Sequence, residues 1–230
     1  MYKISFLLII ICLLISCKQA EIKSQDQEQE TKQFQSVTNT LKVACIGNSI
    51  TEGYGIENPA ENSYPAQMQR MLGRNYQVKN FGVSGRTLLR KGDFPYWQEE
   101  AFQEAKDFQP DIVVIKLGTN DTKPQNWKYS DEFVKDYQVF IDELQALYSK
   151  PKVYVCYPVP AFRKKSTIKD DIIRKEMIPF INEIVVSKGA KIINLYTALD
   201  GQKELFPDGI HPNKAGAKVI AATVAKAIKD

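Results

Sequence analysis

The sequence predicts an α/β domain, a parallel sheet covered by helices on both faces. Two observations carry this reading. Five short, nearly continuous apolar runs rich in β-branched residues recur from residue 41 onward. Between them lie helix-length stretches whose apolar residues are spaced three and four apart. A strand buried on both faces has no side to give to water, so it reads as an unbroken apolar run. Parallel neighbours also need a crossover, usually a helix, between them. No internal repeat competes with this pattern.

Taken in order, the first run is LKVACIG (41–47), followed by a helix pattern from Tyr64 to Leu72. The second run, YQVKNFG (76–82), precedes a helix pattern from Gln98 to Phe108. DIVVIKLG (111–118) leads to Asp131 through Tyr148, and KVYVCYPV (152–159) to Asp170 through Val186. The fifth run, AKIINLY (190–196), is followed by a last helix pattern, Lys214 to Ile228. Five strands in this alternation fit a three-layer α/β/α sandwich with a five-stranded parallel sheet in the flavodoxin-like order 2-1-3-4-5.

The domain is expected to span 41–230, a length sufficient for one substantial core. Ahead of it, MYKISFLLIIICLLISC carries one cation, Lys3, and a ten-residue apolar run, Phe6 to Ile15. That run falls short of the ~20 residues that span a bilayer and has the layout of a signal peptide, 1–16. Leu14-Ile15-Ser16-Cys17 resembles the lipobox of bacterial lipoproteins, which implies lipidation at Cys17 and a place on the bacterial cell envelope. The alternative is an ordinary secretory signal with a chance cysteine. Residues 17–40 are rich in glutamine and charge and read as a disordered tether. Cys45 and Cys156 sit inside apolar runs, where a free thiol behaves as a small hydrophobe, so no disulfide framework is implied. A formal charge of +4, or +3 without Lys3, is too mild and too scattered to argue for nucleic acid.

In an open parallel sheet, ligands bind beyond the carboxyl ends of the strands. There the chain reads GNSITEGYG after the first strand, GVSGRT after the second, GTND after the third and, a short connection after the fifth, DGIHPN. Each has an ordinary explanation: Ser49 as a turn residue, Gly85 as a positive φ, Asn120 as a cap, Asp208 as a turn former. His211, the single histidine of 230 residues, could be a surface side chain. Together they supply a nucleophile, a base, an acid to orient the base, and donors for an oxyanion.

GNSITEGYG, NFGVSGRT, GTND and DGIHPNKAG resemble the four blocks of the SGNH, or GDSL, hydrolase family, in the family's order. The resemblance implies Ser49 as nucleophile, His211 as general base, Asp208 as its orienting acid, and Ser49, Gly85 and Asn120 as the oxyanion hole. No cofactor is implied, and one histidine without a Cys/His cluster argues against a transition-metal site. The first block departs from the family in having Asn48 where an Asp is usual, which leaves the triad intact and puts local loop hydrogen bonding in question.

Family membership fixes a reaction type, and the substrate is a separate matter. The connections RTLLRKGDFPYW and KPQNWKYS bring Arg86, Tyr96, Trp97 and Trp127 into consideration as substrate contacts. Aromatic faces suit sugar rings, though both tryptophans could equally pack the loops onto the core. The stretch NFGVSGRTLLRKGDFPYW is similar to sialate and related carbohydrate O-acetylesterases, which implies a short acyl group on a glycan ester. A lipase, lysophospholipase or thioesterase of the same fold is the alternative. A non-catalytic glycan-binding lipoprotein is the reading from a different class.

Overall fold

The computed structural model describes residues 40–230; the signal, Cys17 and the tether up to residue 39 lie outside the described residues. Five strands, β1 (Leu41–Gly47), β2 (Tyr76–Gly82), β3 (Ile112–Lys116), β4 (Lys152–Cys156) and β5 (Lys191–Ile193), form one sheet. Their order is β2-β1-β3-β4-β5, every pairing is parallel, and the expected topology is found.

The pleat sorts each strand's side chains onto two faces. Ala44, Ile46, Val113, Ile115, Val153 and Val155 join the core beneath α3 (Glu100–Asp107), α4 (Phe133–Gln145) and α5 (Ile178–Lys188). Val43, Cys45, Val114, Tyr154 and Cys156 face α2 (Tyr64–Leu72) and α6 (Lys214–Lys229). Each helix delivers its predicted apolar stripe: Tyr64, Met68 and Leu72 from α2, and Tyr137, Phe140, Ile141 and Leu144 from α4, are buried.

Several elements are a few residues shorter than the sequence expectation, and three differ for a clear local reason. The fourth run stops at Cys156: Tyr157 N–H makes the last bond to the neighbouring strand, to Ile193 O at 3.0 Å, and Pro158 and Pro160 have no N–H to continue it. The fifth run stops at Ile193, because Asn194 Oδ1 accepts from Thr197 N–H and starts a short helix, Leu195–Leu199. The expected helix 170–186 runs instead from Asp170 to Lys188 and is interrupted by a π turn at Ile173–Met177. Pro179 lies just after that turn; lacking an N–H and crowding the carbonyl four residues back, it favours the wider spacing.

The order reverses at β1, whose neighbours on the two sides are β2 and β3. The carboxyl ends of these three strands therefore meet at one switch point, Gly47 pairing with both Gly82 and Lys116.

Candidate active site

Directly after β1, Asn48 caps a single helical turn, α1 (Ser49–Glu52), its Oδ1 accepting from Ile50 N–H at 3.3 Å; its Nδ2 is buried with no partner among the described residues. Ser49 is thus the first residue of a turn held against the sheet. Gly82 permits that closeness: a Cβ there would lie 2.2 Å from Glu52 N. Only a residue without a side chain lets the end of β2 approach the turn so nearly.

Ser49 Oγ lies 2.9 Å from His211 Nε2, and His211 Nδ1 lies 2.7 Å from Asp208 Oδ2. With the carboxylate accepting from Nδ1–H, the neutral ring has its lone pair on Nε2, facing the serine hydroxyl. Asp208 also holds its own turn, Oδ1 accepting from the backbone N–H of Ile210 at 2.9 Å and of His211 at 2.7 Å. Partial burial pushes the Asp208 carboxyl up, but the hydrogen bonds from the His211 ring and from these two N–H groups outweigh it. Its pKa lies below the ordinary carboxylate value. Downstream, Asn213 caps α6 by accepting from Ala215 and Gly216 N–H, both at 3.0 Å, so the histidine sits between two braced turns.

Gly85 and Asn120 come from the neighbouring connections. Gly85 has φ +81°, and a Cβ there would meet nothing within 4 Å, so glycine is needed for the backbone conformation rather than for room. Asn120 Nδ2 donates to Arg86 O at 3.0 Å, and its own carbonyl accepts from Asn126 Nδ2 at 2.9 Å. An amide has two N–H donors, so one remains beyond the contact to Arg86. The residue is 8% exposed.

The expected substrate contacts fare differently. Arg86 is committed to the protein, its Nε to Glu99 Oε1 at 2.7 Å and its Nη1 to Ser84 O at 2.8 Å. Tyr96 is fully buried, its hydroxyl donating to Phe81 O. Trp97 packs against Phe102 and Phe140 with Arg90 over its ring, and its Nε1–H donates to Leu88 O at 2.6 Å. Trp127, 8% exposed, packs on Phe133 and Phe180 and donates to Glu176. Both indoles therefore pack their loops onto the core, the second of the two sequence alternatives; large apolar area and a partnered N–H make this the ordinary fate of a tryptophan.

Sequence reasoning missed the residues that shape the 86–97 connection. Asp121, fully buried, accepts from Leu88 N–H at 3.1 Å and Leu89 N–H at 2.7 Å. Burial raises its pKa to about 6 against the pull of those donors. Asp136 accepts from Arg90 N–H, and Asn126 brackets Asp93. Only the adjacency of Asp121 to Asn120 hinted at this. Tyr54 was missed as well: its ring centroid lies 4.7 Å from that of His211.

Comparison with known proteins gives the same placement. An acetylxylan esterase of Xylanibacter ruminicola is 47% identical over 83% of this chain and 44% of its own length, so the chain spans less than half of that relative. A carbohydrate acetylesterase from Sinorhizobium meliloti superposes with a TM-score of 0.68 at 20% identity, over 82% of this chain and 98% of that one. An aryl esterase of M. smegmatis gives 0.65 at 18% identity, over 82% and 98%. These two share the fold. The profile of the GDSL-like lipase/acylhydrolase family matches residues 45–219, most of the described chain. On that match and the sheet it covers, the chain belongs to the GDSL-like lipase/acylhydrolase family.

Proposed function

We propose that the protein is a serine esterase that removes short acyl groups, acetyl above all, from carbohydrates. The observation that carries the reading is the Ser49–His211–Asp208 chain, with steps of 2.9 and 2.7 Å. Ser49 Oγ attacks the ester carbonyl while His211 Nε2 takes its proton. The tetrahedral oxyanion is met by the Ser49 and Gly85 backbone N–H groups and the free amide N–H of Asn120. His211 then returns the proton to the leaving alcohol, giving an acyl-serine. Water, deprotonated by the same nitrogen, hydrolyses that intermediate and restores Ser49. Asp208 keeps Nδ1 protonated throughout and stabilises the imidazolium that forms.

The carbohydrate and the acetyl group are supported by the acetylxylan esterase relative at 47% identity. Incubating the full chain with acetylated xylan should release acetate, and Ser49→Ala should fold equally well and release almost none. Near-wild-type turnover by that variant would end the serine mechanism. The envelope location rests on Leu14-Ile15-Ser16-Cys17. In a bacterial host the protein should partition with membranes and carry acyl chains on Cys17, two or more of which suffice for stable attachment. A mature chain with unmodified Cys17 in its mass spectrum would contradict the anchor.

A further inference from the structure

Three large aromatic side chains stand exposed among the described residues: Tyr54 at 57%, Phe94 at 56% and Tyr148 at 95%. Tyr148 follows α4 and precedes β4, at the amino edge of the sheet. Tyr54 and Phe94 lie at the carboxyl edge, beside the site. Tyr54 follows the catalytic turn, its N–H donating to Ser49 O at 2.9 Å, and its ring leans on His211 at 4.7 Å between centroids. Phe94 belongs to the connection after β2 that also carries Gly85, and the Arg86 guanidinium lies 5.7 Å from its ring centroid.

Neither exposure is a by-product of loose chain. Thr87 N–H donates to Phe94 O at 2.9 Å, Pro95 bridges Thr87, and Asp93 is held by Asn126 on both its backbone and its carboxylate. A braced loop that keeps a phenylalanine in water forgoes the gain of burying it. The gain is recovered if something else covers the ring.

The proposed chemistry says what. In a sugar ester the sugar is the leaving alcohol, and its oxygen must receive the proton from His211 Nε2. The sugar ring then lies beside the imidazole, where the Tyr54 ring stands. We propose that Tyr54 and Phe94 are the stacking faces of a carbohydrate-binding cleft, Tyr54 holding the ring that carries the ester and Phe94 a neighbouring ring of the chain. The negative face of an aromatic ring meets the weakly positive C–H bonds on the flat face of a pyranose, while the sugar's hydroxyls stay in water at the rim. This inference rests on the esterase reading and adds its specificity to it.

The test compares an acetylated xylo-oligosaccharide with ethyl acetate, which has the same acyl group and no ring to stack. For Tyr54→Ala and for Phe94→Ala, the ratio of kcat/KM between oligosaccharide and ethyl acetate should fall roughly three- to tenfold, the usual effect of losing one well-placed aromatic face. For Phe94→Ala the loss should lie in KM. Phe94→Trp should restore the ratio, and Phe94→Leu, apolar without a flat face, should not. Equal losses on both esters, or a leucine as good as phenylalanine, would overturn the inference. If the unsubstituted protein hydrolyses neither ester, the esterase reading itself fails, and that outcome is distinct from a ratio that does not move.

Discussion

Replacing Asp208 by asparagine separates the two jobs of its carboxylate. Oδ1 accepts from the Ile210 and His211 N–H groups, and Oδ2 accepts from His211 Nδ1. In Asp208→Asn the amide oxygen must stay where Oδ1 is, because an NH2 group there would face two donors. The new NH2 then points at Nδ1 and needs it unprotonated. The imidazole proton moves to Nε2, aimed at Ser49 Oγ, and the ring can no longer take the hydroxyl proton. In serine hydrolases the wrong tautomer costs about 10⁴ in kcat, or about 5.5 kcal/mol of barrier. The turn keeps its two hydrogen bonds, so the melting temperature should shift by no more than a few degrees. Asp208→Ala should be as inactive and also less stable, since it frees both N–H groups. The assay is kcat at saturating acetate ester near pH 7.5, with thermal unfolding of all three proteins alongside. An asparagine variant within tenfold of the parent kcat would refute the claim that Asp208 sets the tautomer.

Asn120→Ala removes one of the proposed oxyanion donors and should lower kcat about 10²–10³-fold with little change in KM; an effect confined to KM would make Asn120 a binding residue. Asp121, buried with its pKa raised to about 6, makes stability depend on pH. The folded state holds this proton more tightly than the unfolded chain. Its contribution is therefore complete below about pH 4 and lost as pH rises through about 6, roughly 2–3 kcal/mol across that window. Denaturant unfolding of the parent minus that of Asp121→Asn should show this decline, and a pH-independent difference would count against it. For the acyl group, kcat/KM should be highest for acetate and fall from butyrate to octanoate; each methylene would add roughly 0.8 kcal/mol if an apolar acyl pocket existed, so a rise with chain length would favour a lipase.

The parallel, doubly covered sheet was legible because burial on both faces writes continuous apolar runs, and the shortness and β-branched content of runs such as IVVIK mark them as strands; the order was the common one for five such strands. Strand ends were less legible. Asn194 starting a helix inside the fifth run and proline closing the fourth are decided by hydrogen bonds that apolarity does not record. At the site, Ser49 and Asn120, just beyond their strands, and the Asp208–His211 turn, a short connection after the fifth strand, could be located because the topology gathers them at one edge and their motifs resemble the family's blocks in order. The tryptophans could not be assigned, since composition does not say which face of a loop turns inward. Trp97 and Trp127 turn inward, while Tyr54 and Phe94, which carried no spacing signal, turn out. The Asp121 clamp on Leu88 and Leu89 joins residues 33 and 32 positions apart through backbone donors, which leave no mark in sequence.

Covalent labelling shows whether Ser49 is a nucleophile activated by His211. The protein would be treated with diethyl p-nitrophenyl phosphate, which phosphorylates an activated serine, and its peptides mapped by mass spectrometry. A single diethylphosphoryl group on the peptide bearing Ser49 is expected, forming in step with loss of esterase activity. His211→Ala should abolish the labelling although Ser49 is untouched. Full inactivation with Ser49 unmodified, or labelling of Ser49 at the parent rate in His211→Ala, would rule out a Ser49 nucleophile activated by His211.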